Sequence, residues 1–192
     1  REASVFNGNI TTWDTSLVRD FRLAFYNAIA FNRDLNGTKW VINSSVTTLE
    51  KIFSGATAFN GNISTWDTKN VKSLQAMFKN ANSFNKNLDK WDTSQVTNMN
   101  AVFNHAEMFN GNISTWDTSR VGNMYRMFNS AKKFNQDLDR WKTSHVTTMF
   151  EIFREASVFN GNITTWDTSL VRDFRLAFYN AIAFNRDLNG TK

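Results

Sequence analysis

Cysteine and proline are absent from this chain, and histidine occurs only twice in 192 residues. Without cysteine there is no disulfide framework, no thiol nucleophile and no thiolate metal site. The redox compartment stays open, because a repeat core needs no covalent staples. No run of 18 apolar residues occurs, so no segment reads as a membrane-spanning helix. A hydrophobic content of 41% against 20% charged residues excludes a disordered acidic or basic tail. The opening Arg1-Glu2-Ala3-Ser4-Val5 reads as the middle of a repeat, and any targeting segment is expected outside these residues.

What is abundant is Phe, at 18 residues, with 7 Trp and 26 Asn. Periodicity explains all three. A Phe-Asn dipeptide opens each unit, with Phe at 6, 31, 59, 84, 109, 134, 159 and 184, spaced by 25 residues except for one interval of 28. Self-similarity at such a period is the signature of a stacked repeat array, in which a unit cannot bury its apolar face alone. Missing proline fits a ladder that needs every N–H.

Within a unit, Val121, Met124, Met127, Phe128 and Ala131 fall on one face of a 3.6-residue period and predict about three helical turns. Asp117, Thr118 and Ser119 just ahead carry the short oxygen side chains that cap a helix start. Asn112–Trp116 is polar, β-branched and too short for a helix, so it predicts a short strand with Ile113 inward. The Asn after each unit's first Phe is expected to satisfy backbone groups from coil to coil. One helix and one strand per unit make an α/β solenoid with a parallel ladder.

The segments FNGNISTWDTSRVGNMYRMF (109–128) and FNKNLDKWDTSQVTNMNAVF (84–103) resemble the bacterial surface protein 26-residue repeat, a BspA-like relative of leucine-rich repeats. The resemblance covers essentially the whole chain. It implies secreted or surface-anchored proteins, often lipoproteins or adhesins, without enzymatic activity. Two units depart from the pattern: that of Phe31 carries three extra residues, and that of Phe134 has Lys142 in place of Asp.

Residues 1–39 and 154–192 are identical, at an offset of 153. Independent drift would not leave such a match, so the chain is expected to be a window on a longer periodic array with uncapped ends. That reading predicts Trp, then Val-Ile-Asn, after Lys192. The strand segments also alternate. Units at 6, 59, 109 and 159 read Gly-Asn-Ile, whereas the others carry Arg33, Asp34, Lys86, Lys90, Asp137 and Arg140. Separating like charges on adjacent coils is the expected gain, and these six residues are the candidate interaction face.

Asn9, Asn62, Asn112 and Asn162 lie in the N-glycosylation acceptor pattern, as do Asn36, Asn43 and Asn189. The alternative is an unmodified polar ladder residue. Asp14, Asp67, Asp92, Asp117 and Asp167 align, but calcium wants converging carboxylates and Lys142 interrupts the column, so helix capping is the reading. The column of Trp13, Trp40, Trp66, Trp91, Trp116, Trp141 and Trp166 reads as core packing ahead of a sugar-stacking strip. His105 and His145 occupy unrelated repeat positions and support no metal site or nucleophile relay.

A net charge of +5 raises nucleic acid as a partner, but the basic residues are dispersed and interleaved with Asp. Weak attraction to an acidic polysaccharide or anionic surface fits better. The expected whole is a right-handed, leucine-rich-repeat-like α/β solenoid with neither catalytic residues, metal nor cofactor. Its expected role is that of an extracellular rod or filament segment whose partner is itself, by continued or end-to-end stacking. The alternative is an adhesin binding a host protein or glycan through its strand face.

Overall fold

A computed structural model describes residues 4–37 and 39–188. The chain winds through seven consecutive coils: coil 1 (6–30), coil 2 (31–58), coil 3 (59–83), coil 4 (84–108), coil 5 (109–133), coil 6 (134–158) and coil 7 (159–183), with 184–188 opening an eighth. Hydrogen bonds between residues 22–31 apart tie each coil to its neighbour.

The expected helix does not form. No helix occurs among the described residues, and the extended pairing is a column of single parallel bridges, Thr48–Ser73–Asn98–Asn123–Thr148–Asp173. The α/β solenoid with one strand and one helix per unit, and with it the leucine-rich-repeat-like coil, is therefore overturned. The bridges sit in the half of the unit expected to be helical. The half expected to be a strand is turn, where Trp116 N–H donates to Ile113 O at 3.1 Å.

The reason lies in where the amides go. A helix would return each N–H to the carbonyl four residues back. Here alternate amides leave the coil: those of Arg126, Phe128 and Ser130 donate to Phe150 O, Ile152 O and Arg154 O at 2.7–2.8 Å. The amides between them close turns, Met127 to Met124 O and Ala131 to Phe128 O. Arg126 and Ser130, third in these turns, have φ of 53° and 56°, the left-handed third residue that type II turns demand. The same two positions are left-handed in coil after coil, at Ala76 and Asn80, Ala101 and His105, Glu151 and Glu155. A non-glycine residue there costs about 1–3 kcal/mol, which the inter-coil bonds offset.

Ile113 does point inward, and so do the other expected core positions. The first Phe of each unit forms one column from Phe6 to Phe184 with ring centroids 5.7–5.9 Å apart. A second runs from Phe25 to Phe178. Trp40 to Trp166 form a third, at 6.3–6.4 Å. Each such ring removed from water contributes roughly 1.5–3 kcal/mol, and each is shared by two neighbouring coils. Turns spaced three and four residues apart put their inward residues at helix-like spacing, which is why the apolar pattern mimics a helix.

Candidate interaction face

Side-chain ladders run along the edge formed by the first half of each unit. The Asn after each first Phe accepts from the backbone N–H of its counterpart one coil on: Asn60 N–H donates to Asn32 Oδ1 at 2.8 Å, Asn85 to Asn60 at 3.0 Å, Asn110 to Asn85 at 2.8 Å and Asn135 to Asn110 at 2.9 Å. This is the expected coil-to-coil role of the Phe-Asn amide. The buried threonines repeat the device. Thr68, Thr93, Thr118 and Thr143 donate their hydroxyls to the carbonyls of Asp92, Asp117, Lys142 and Asp167 at 2.8–3.0 Å.

The Trp column is core. Trp66, Trp91, Trp116, Trp141 and Trp166 are buried and turn their indole N–H onto the carbonyls of Leu35, Ile63, Leu88, Ile113 and Leu138 at 2.9–3.2 Å. Trp13, in coil 1, is 58% exposed. The aligned Asp residues cap no helix, since none occurs among the described residues. Asp14, Asp67, Asp92, Asp117 and Asp167 each accept the N–H two residues on, at 2.9–3.3 Å, and so close a local turn. Hydrogen bonds from the backbone and hydroxyl of Ser119 hold the Asp117 carboxyl below its usual range. No group of three metal-ligating side chains occurs among the described residues.

The acceptor-pattern asparagines share one local geometry. Asn9, Asn62, Asn112 and Asn162 each turn Oδ1 onto the N–H of the Ser or Thr two residues on, at 3.0–3.1 Å. Asn9 is exposed and the other three are half-buried. Asn43 instead commits its amide nitrogen to Ser16 O and Val18 O. Asn36 accepts from the Thr65 hydroxyl at 3.2 Å, and Asn189 lies outside the described residues.

The six residues of the candidate interaction face split into two roles. Asp34 and Asp137 are engaged, accepting the backbone N–H of Asn62 and Asn162 at 2.7 Å. Arg33 donates Nε to Asn7 O at 3.0 Å. Lys86 and Lys90 line a cleft of about 330 Å³ with Asn62, Ser64, Asn87 and Asp89. Arg140 lines a second, of about 300 Å³, with Lys142, Thr165 and Asp167.

A polar cluster on the opposite, turn-built edge went unseen in the sequence. Glu151 is 2% exposed and accepts from Arg126 Nε at 2.6 Å, Arg154 at 2.9 Å and Asn129 Nδ2 at 2.8 Å. Burial pushes its carboxyl up, but the hydrogen bonds and charges of Arg126 and Arg154 outweigh this and hold it below the usual range. Ser130, Glu155, Asn104 and His105 complete the cluster, and burial pushes the His105 imidazole down. The Ser130 hydroxyl donates toward Glu155 at 3.0 Å and Asn129 at 2.9 Å, and His105 pairs with Asn104, so no Ser–His relay forms. The one available sequence signal was the 25-residue offset between Arg126 and Glu151, which stacks opposite charges on adjacent coils.

No helix among the described residues is long and apolar enough to cross a membrane. A family model described as "Mycoplasma protein of unknown function, DUF285" matches residues 1–107 and again 84–191, and the chain belongs to that family. Two offset matches of one model mark a repeat-containing family. No curated protein and no solved structure matches the chain.

Proposed function

We propose that this member of the DUF285 family is a structural repeat protein of the cell surface or extracellular space, a segment of a rod that lengthens by continued stacking of coils. The observation that carries the reading is the uniform outward donation of alternate amides. Coil 4 gives Met99, Ala101, Phe103 and His105 N–H to coil 5, and coil 5 gives Met124, Arg126, Phe128 and Ser130 N–H to coil 6. Every coil thereby presents its successor with the same template. The partner on this reading is further repeats of the same kind, joined covalently or end to end. The resemblance of residues 84–128 to BspA-like surface repeats is what supports the extracellular placement.

Chains carrying one and two copies of the 153-residue super-repeat test the rod. Six added coils at the parallel spacing should lengthen it by roughly 29 Å in electron micrographs or solution scattering. A compact particle of unchanged length overturns the proposal. Protease shaving of intact cells tests the location, since a surface protein is cleaved and an internal one is spared.

A second reading, an adhesin, is favoured by the cleft at Lys86 and Lys90, two cations without an ion pair among the described residues, on an otherwise hydrogen-bonded edge. Its ligand class is a glycan or an acidic surface, and nucleic acid is excluded from the proposal because the positive charge is dispersed. Retention on an acidic polysaccharide matrix that Lys86→Ala/Lys90→Ala abolishes supports it, and unchanged retention removes it. Glycosylation at Asn9, Asn62, Asn112 and Asn162 belongs to the same surface reading. Peptide mass spectrometry of native material decides it, and unmodified peptides at all four sites end it.

A further inference from the structure

The coils are of two kinds in strict alternation. Their third residue reads Gly8, Arg33, Gly61, Lys86, Gly111, Gln136, Gly161 and Arg186. The junctions between them are therefore also of two kinds, and they differ in bonding.

Where a glycine coil follows a charged coil, the edges are knitted in both directions. Leu35, Leu88 and Leu138 N–H donate forward to Asn62, Asn112 and Asn162 O at 2.9, 3.0 and 2.8 Å. Asn62, Asn112 and Asn162 N–H donate back to Asp34, Asn87 and Asp137 Oδ1 at 2.7, 2.9 and 2.7 Å. Hydroxyls add a third strand of bonds, Thr65 to Asn36, Thr115 to Asp89 and Thr165 to Asp139. The backbones approach so closely that a Cβ on Gly61, Gly111 or Gly161 would lie 2.0–2.2 Å from the carbonyl oxygen of Arg33, Lys86 or Gln136.

Where a charged coil follows a glycine coil, this knitting is missing. Among the described residues, Ile63 and Ile113 N–H have no acceptor, although they occupy the position of Leu35, Leu88 and Leu138. Long side chains bridge instead: Arg33, Gln136 and Arg186 reach back to Asn7, Asn110 and Asn160 O at 2.8–3.0 Å. The cleft at Lys86 and Lys90 lies at such a junction, between coils 3 and 4.

We infer that the coil pair, charged coil first and glycine coil second, is the unit by which this array recognises itself. Its two outer faces are complementary only in that phase. A further repeat or a second copy of this chain docks when a charged coil meets a glycine coil, and is refused when like meets like. Two glycine coils in succession lose that acceptor, because the Asn of a glycine coil already spends its Oδ1 on the N–H of the Ser or Thr two residues on, as Asn62 and Asn112 do. Two charged coils place a side chain where the carbonyl needs a glycine. The 153-residue super-repeat contains six coils, an even number, so the duplication keeps Gly8 with Gly161 and Arg33 with Arg186 in phase. This inference rests on the stacking reading above and adds to it a rule for which coil follows which.

Amide hydrogen exchange on the intact chain reads the rule directly. Leu35, Leu88 and Leu138 should exchange slower than Ile63 and Ile113 by roughly tenfold or more, and equal rates at these equivalent positions overturn the inference. Two deletions give a second reading. Removing 84–108 takes out one coil and sets glycine coil on glycine coil, whereas removing 84–133 takes out a pair and keeps the phase. The shorter chain should melt higher than the longer one, the reverse of what length predicts. The opposite order overturns the inference, and the exchange result decides where either variant fails to fold. If the alternation in exchange holds but tandem copies do not lengthen, the rod fails while the pairing rule stands.

Discussion

The two edges of a coil solve the same bonding problem differently. On the turn-built edge, backbone donates to backbone at every junction, from Leu74, Ala76, Phe78 and Asn80 in coil 3 as from Met99, Ala101, Phe103 and His105 in coil 4. Side chains there vary freely: one column reads Arg22, Glu50, Gln75, Asn100, Tyr125, Phe150 and Arg175. On the Phe-Asn edge, many bonds need a named side chain, and the residues alternate in twos. Backbone ladders are indifferent to side-chain identity, so they free a surface to diverge. Side-chain ladders constrain it.

The largest effect should come from the core the two edges share. Phe128→Ala removes a fully buried ring from two columns of contacts and should lower stability by about 3–5 kcal/mol in denaturant titration. A cost under 1 kcal/mol would mean the columns do not hold the coils together.

A matched pair of glycine substitutions separates the edges. Gly111→Ala puts a methyl 2.2 Å from Lys86 O and should cost about 1–3 kcal/mol. Gly122→Ala, whose nearest neighbour is His145 O at 3.8 Å, should change the melting midpoint little. Equal costs would erase the distinction drawn between the edges.

Glu151→Gln probes the turn-built edge where it is most polar. It should cost about 1–3 kcal/mol at neutral pH by uncoupling Arg126 and Arg154. The folded-state carboxyl titrates below its ordinary value of 4.5. Its contribution is therefore complete above that value and is lost as pH falls through the folded-state value. The gap between variant and parent should close on acidification below pH 4.5, and a gap that widens contradicts the assignment. His105, held low by burial, should add a separate loss of stability as pH falls below 6.5.

The smallest expected effect is a gain. Ala101 holds a left-handed φ of 53° in a turn, and Ala101→Gly should stabilise by about 1 kcal/mol after glycine's entropy is counted. Loss of stability there would show that its buried methyl outweighs the backbone strain.

Much of this was legible in the residues. Phe109, Ile113, Trp116, Val121, Met124, Phe128 and Ala131 all lie inside, as their spacing required. The asparagine ladder followed from an amide recurring beside a buried ring. Val121, Met124, Met127, Phe128 and Ala131 predict a helix that does not form, because tandem turns produce the same spacing. The left-handed positions gave little warning, since only Gly55 among them is a glycine, and Arg126, Ser130, Ala101 and Glu151 stand where glycine would have signalled a turn. The charge alternation was visible at Arg33 and Lys86, but its reason was not. A carbonyl pressing on the next coil's glycine is an inter-coil distance that no single unit encodes.

The sequence by itself determined the period, the coil boundaries and which rings face inward, because burial of recurring Phe and Trp depends only on spacing and polarity. Only the tertiary structure decided between helix and turn. An amide of Arg126 or Phe128 has a local carbonyl and a carbonyl on the next coil to choose from, and the choice is made by the neighbour that stacking supplies.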